Sequence, residues 1–178
     1  RVSGSCFCGA IRFSVALPSL FCGHCHCSRC RRSHGAAFVT CFAVPRGQLL
    51  LEGGQAELVR FRSSDHGTRS FCGRCGSSLF CESSQHPEQV DVVLANMHAP
   101  IDRLPQAHIY FDDRAAWVST EDHLPRLGGR TGMEPIKLPA EADPARKAEL
   151  EKIVGKAKEL AYVKTRAWLQ ALTSASSL

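Results

Sequence analysis

Apolar and polar residues alternate in short runs along most of this chain. Ile11, Phe13 and Val15 alternate with Arg12 and Ser14 up to Pro18, the period-two pattern of a half-buried strand. After Gly35 the run AAFVTCFAVP is rich in β-formers and stops at Pro45. Residues 49–51 and 58–61 predict two more strands around a turn at Gly53-Gly54, and 63–67 is a polar loop. The stretch 70–80 predicts a hairpin whose tip carries Cys72-Gly73-Arg74-Cys75-Gly76, with Gly73 and Gly76 supplying left-handed backbone. Residues 90–95 and 108–111 give the last strands. Many short strands with turn punctuation and no long helix predict a mainly β fold.

The pattern changes near Gly128. All six lysines (137, 147, 152, 156, 158 and 164) come after it, and Pro135 and Pro139 mark a linker. Asp143-Pro144 is a good helix start, an N-cap followed by proline in the first turn. Leu150, Ile153, Val154, Ala157, Ala161, Trp168 and Leu172 then recur roughly on one helical face. The expected organisation is a β domain over 1–127, a linker over 128–142 and a C-terminal amphipathic α-helix within 143–178. That helix is expected to pack on its own domain or to make a homodimer. A basic membrane-surface helix is the other reading, diluted by Asp143, Glu149, Glu151 and Glu159.

Composition narrows the class. The chain has 178 residues, 44% hydrophobic and 22% charged, which describes an ordinary globular protein. No apolar run approaches the ~20 residues of a membrane span. The start, Arg-Val-Ser-Gly, does not read as a signal peptide and lacks an initiator Met, which suggests missing upstream residues. The net charge of +5 is explained by solubility and does not call for nucleic acid. Ten cysteines in close clusters point to metal in a reducing cytoplasm rather than to disulfides.

The densest cluster is C-G-H-C-H-C-S-R-C-R-R, residues 22–32, with no conventional apolar residue. It reads as a loop outside the core. Its C-x-C-x-x-C spacing is poor for disulfides and suits a soft d¹⁰ ion. Cys6 and Cys8, two apart in an extended segment, point the same way and can pair with Cys72 and Cys75 as a closed tetrahedral Cys₄ set. Cys41 and Cys81 sit in strand-like apolar context and read as small core residues. Cys25, Cys27 and Cys30 remain. Three thiolates with one open position describe a reactive zinc, and spacing leaves open whether Cys22 closes the set. His24, His26 and His34 are further candidates, read first as neighbours of the site.

The segments G-S-C-F-C-G-A-I-R-F, C-H-C-S-R-C-R-R-S-H-G-A-A-F-V-T, F-C-G-R-C-G-S-S-L-F and H-I-Y-F-D-D-R-A-A-W resemble the glutathione-dependent formaldehyde-activating enzymes, a family that includes centromere protein V. The resemblance spans roughly 3–127. It implies small β-sheets held by a structural zinc on Cys6, Cys8, Cys72 and Cys75, and a second zinc on Cys25, Cys27 and Cys30 beside the thiol site. Cys22 departs from the family pattern. The implied activity is that of a carbon–sulfur lyase, glutathione plus formaldehyde giving S-hydroxymethylglutathione, with glutathione or a related thiol as partner. Arg29, Arg31, Arg32, Arg46, Arg69 and Arg74 are candidates for its carboxylates, Arg31 and Arg32 first among them. The alternative is a non-catalytic zinc module that binds a thiol, a protein or a polyanion.

Overall fold

A computed structural model describes residues 1–136. In chain order the strands are β1 (Val2–Ser5), β2 (Arg12–Val15), β3 (Phe21–Cys25), β4 (Val39–Pro45), β5 (Leu49–Gly53), β6 (Leu58–Arg62), β7 (Gly67–Cys72), β8 (Ser78–Ser83), β9 (His86–Val93), β10 (His108–Ile109), β11 (Leu127–Gly128) and β12 (Glu134–Pro135). One α-helix among the described residues, α1 (Ser28–His34), joins β3 to β4. The expected helix within 143–178 and the last part of the expected linker, 137–142, lie outside the described residues.

The mainly β reading holds, but the sheets are not all small. One is seven-stranded, in the order β10-β3-β4-β9-β8-β7-β6, beside a three-stranded sheet β1-β2-β5 and the pair β11-β12. The large sheet arises because the successive hairpins β6-β7-β8-β9 keep adding antiparallel neighbours, and β9 then pairs with β4. Residues 128–136 fold back on the turn after β10: Tyr110 N donates to Gly132 O at 3.1 Å, and Gly129 N donates to Asp112 Oδ2 at 2.8 Å. The compact unit therefore runs to Ile136, past the position 127 at which composition places the end.

The core lies between the three-stranded sheet and one face of the large one. Ile11, Phe13 and Val15 pack against Phe42, Val44, Phe80, Val90 and Val92, and the rings of Phe13 and Phe80 meet edge to face with centroids 5.0 Å apart. Register fixes which residues face it. Cys22, Phe42, Val92 and Phe80 stand opposite one another across β3, β4, β9 and β8, so Cys22 belongs to the core face. The opposite face carries Ala43, Asp91, Cys81 and Arg69 in one cross-strand row.

Residues 22–32 are thus not a loop. Cys22 to Cys25 form an interior strand and Ser28 begins a helix. The expectation failed because it counted thiols, glycine and histidine as polar. Thiols pack as small hydrophobes, and Cys22 is wholly buried.

Strands β5 and β6 flank Gly53-Gly54 as expected but go to different sheets, so this turn hands the chain across the core. Gly54 has φ +79° and a Cβ there would meet Ala10 O at 2.1 Å, whereas Gly35, the C-cap of α1 at φ +59°, faces open space. Gly35→Ala pays only the left-handed penalty of ~1–2 kcal/mol. Gly54→Ala adds a backbone clash. Urea denaturation should therefore show a distinctly larger loss for Gly54→Ala.

Candidate metal centres and cavity

The first cluster joins the two sheets. Cys6 and Cys8 sit in the β1–β2 turn, Cys72 ends β7, and Cys75 lies in the β7–β8 turn. Their four sulfurs all lie within 4.8 Å of one another. Cys6 and Cys8 are 3.6 Å apart and Cys8 and Cys72 3.9 Å. Sulfurs ~2.3 Å from a tetrahedral ion would sit ~3.8 Å apart, so the donor set fits a metal ion such as zinc. Backbone bonds shape the turn: Cys72 N donates to Ser77 O at 2.9 Å and Gly76 N to Cys72 O at 2.8 Å. Gly76 is the left-handed residue there (φ +73°), while Gly73 is not. Hydrogen bonds from Ser77 hold the Cys75 thiol down at about 5, and Ser77 Oγ also accepts from Phe7 N at 3.0 Å across the turns. Cys6 and Cys72 are buried and Cys8 is exposed, so the cluster sits at the rim of the core.

The second cluster is built at a strand-to-helix junction. Cys25 ends β3, Cys27 caps α1, and Cys30 lies in its first turn; their sulfurs are also within 4.8 Å of one another. The Cys30 amide donates to Cys27 Sγ at 3.3 Å, the N-cap bond that starts the helix. Arg31, Arg32 and His34 in the last turn complement the helix C-terminus. Protons compete among the three thiols. Hydrogen bonds from Cys25 and Cys30 push the Cys27 thiol well down, and the same crowding pushes Cys25 far up. A set of soft donors this close needs a cation to hold all three as thiolates, so it too fits a metal ion.

Cys22 and Cys25 are three residues apart on an extended strand and therefore face opposite sides of the sheet. Cys22 is in the core, and no fourth sulfur joins the triad among the described residues. The histidines do not close the set either. His24 Nδ1 is 2.9 Å from Thr40 Oγ1, and His26 Nε2 is 2.7 Å from His108 Nδ1, whose ring reaches Asp122 at 2.9 Å. His34 Nδ1 lies 3.0 Å from Cys30 O, and its buried Nε2 has no partner. Burial lowers the pKa of all three of these imidazoles.

The triad borders a cavity of about 500 Å³ that spreads over the outer face of the large sheet. Its wall includes Arg29, Arg69, Tyr110 and Asp113. Arg69 Nη2 donates to Cys30 Sγ at 3.4 Å, and its buried Nε has no partner. Arg31 and Arg32, the first candidates for ligand carboxylates, do not line the cavity. Arg31 donates to His26 O and Asp113 O, both at 2.9 Å, and Arg32 donates to Ser28 O. They staple α1 in place. Cys41 and Cys81 also differ from expectation: they are half-buried on the cavity floor instead of filling the core, because their register puts them on the outer face. Arg69 and Asp91 were not separable from other charged strand residues by sequence alone.

No helix among the described residues is long and apolar enough to cross a membrane. A family model described as glutathione-dependent formaldehyde-activating enzyme matches residues 1–113. A Halomonas elongata protein provisionally named for the same activity is 30% identical over 129 residues, covering 67% of this chain and 81% of its own. A crystal structure of a Rhodobacter sphaeroides protein aligns over 57% of this chain and 92% of its own, at 26% identity and a TM-score of 0.49. The three cysteine motifs, gathered into two metal-competent clusters, and the match over 1–113 agree: the chain belongs to the glutathione-dependent formaldehyde-activating enzyme family.

Proposed function

We propose that this protein is a zinc-dependent carbon–sulfur lyase of the reducing cytoplasm, making and breaking S-hydroxymethylglutathione-like adducts. The observation that carries the reading is the triad of Cys25, Cys27 and Cys30 bordering a roomy cavity, with Cys22 turned into the core. The other cluster, Cys6, Cys8, Cys72 and Cys75, is read as the structural zinc site. When bound by the triad, a zinc ion supplies the positive charge that favours a substrate sulfur as thiolate over thiol.

The chain's own residues do the rest. Arg69 and Arg29 present guanidinium groups to ligand carboxylates, and Arg69 keeps an unpaired buried N–H for one of them. Val39, Ala43 and Val93 give the cavity an apolar wall that excludes water from the reacting carbon. In the forward direction the thiol sulfur bonds to the formaldehyde carbon, the C=O π pair moves to oxygen, and that oxygen gains a proton as the thiol loses one.

The test is exchange between glutathione, formaldehyde and the adduct, followed by NMR with and without the metal-replete protein. Acceleration above the spontaneous rate supports the lyase. Binding of glutathione without acceleration transfers the reading to a carrier. Arg69→Gln removes one charge-assisted contact and should raise KM for glutathione by about tenfold or more.

A further inference from the structure

The cavity floor holds a carboxylate that this reaction does not use. Asp91 on β9 stands beside Cys81 of β8 and Ala43 of β4, with Arg69 of β7 at the far side of Cys81, and all four line the cavity. Among the described residues Asp91 has no hydrogen-bond or ion-pair partner. The contrast is Glu82, one residue along β8 from Cys81, which is held by both Arg46 and Arg60. A half-buried carboxylate without a partner costs stability, and such costs concentrate where a ligand supplies what is missing. The missing partner is a cation.

Its placement says where on a ligand that cation lies. Arg69 reaches back to Cys30 Sγ, at the triad. Asp91 is two strands away from Arg69, ~10 Å across the sheet. In a γ-glutamyl thiol the free ammonium is eight bonds from the sulfur, ~9–10 Å when extended. We propose that Asp91 receives the free ammonium of a γ-glutamyl-type thiol, so that the cavity selects thiols whose amine is unblocked. This rests on the thiol-binding reading above.

Arg69, Cys81, Cys41 and His86 are the titratable groups that face Asp91 from β7, β8, β4 and its own strand. Burial outweighs the pull of Arg69 and His86 and raises the carboxyl to about 6. The carboxylate is therefore present above that pH, and the preference for an amine fades as pH falls through it.

Titration calorimetry on the metal-replete full chain tests the assignment with glutathione and with glutaryl-cysteinylglycine, which is the same thiol without the amine. Near neutral pH the parent protein should bind glutathione about tenfold or more tighter than the amine-free analogue, the scale of one charge-assisted contact. Asp91→Asn should bring the two affinities within about twofold and leave that of the analogue unchanged. The ligand-free variant should also melt higher, since an unpaired carboxylate has been removed. A preference that survives in Asp91→Asn overturns the assignment while thiol binding stands. A variant that melts lower makes Asp91 a structural partner and also overturns it. If the parent binds neither thiol, both the assignment and the reading beneath it fall.

Discussion

Cys72→Ser should yield a protein that has lost about one metal equivalent and either precipitates or melts far below the parent, because the proposed structural zinc site at the first cluster would be a clamp with no substitute. Cys8 and Cys72 are 64 positions apart in sequence, and the cluster is where the β1–β2 turn of one sheet meets the β7–β8 turn of the other. Structural zinc sites contribute ~10–16 kcal/mol in small model domains. A whole domain is stable by only ~5–15 kcal/mol. Losing the ion therefore removes stability on the scale of the total, even though Phe13 and Phe80 still make contact between the sheets. Cys72 is wholly buried, so the serine hydroxyl would also stand in the core. Metal analysis beside a thermal melt checks the prediction. Unchanged melting and metal content would show that these four sulfurs do not share an ion.

Much of this was legible in the sequence for a physical reason. Metal donors must be close in space, and at the C-x-C and C-x-x-C spacings they are close in sequence as well. The pairing of Cys6 and Cys8 with Cys72 and Cys75 then follows from counting. Strand positions were legible wherever β-branched and aromatic residues alternate, as from Ile11 to Val15. What was not legible is sheet membership and facing. Nothing local to 49–53 and 58–62 says that one strand joins β2 and the other β7. Cys22 reads as a loop residue and Cys41 as a core residue, yet pairing puts Cys22 in the core and Cys41 on the cavity floor. The same holds for arginines. Arg31 lies among the site cysteines but is tied to His26 O and Asp113, whereas Arg69, distant in sequence, reaches Cys30 Sγ through strand pairing.

The second cluster gives the sharpest pair of variants, because Cys22 and Cys27 are close in sequence and opposite in role. Cys27→Ser removes one soft donor from the triad and should lose the second metal equivalent together with thiol binding. The fold should survive. Serine is itself a good N-cap, so the bond from the Cys30 amide that starts α1 keeps an acceptor. The first cluster and the Phe13–Phe80 core are untouched. Cys22→Ser should do the reverse. Its side chain packs in the core row with Phe42, Val92 and Phe80, where the hydroxyl finds an apolar setting and costs ~1–3 kcal/mol. Both metal equivalents and the affinity for glutathione should stay at parental values. Metal content, thermal melting and glutathione titration on the two variants separate the outcomes. If Cys22→Ser lost the second metal, Cys22 would have to turn out of the core to reach Cys25, closing the set with four thiolates. The triad would then have no position for a substrate sulfur, and the lyase reading would give way to a protein held by two structural ions.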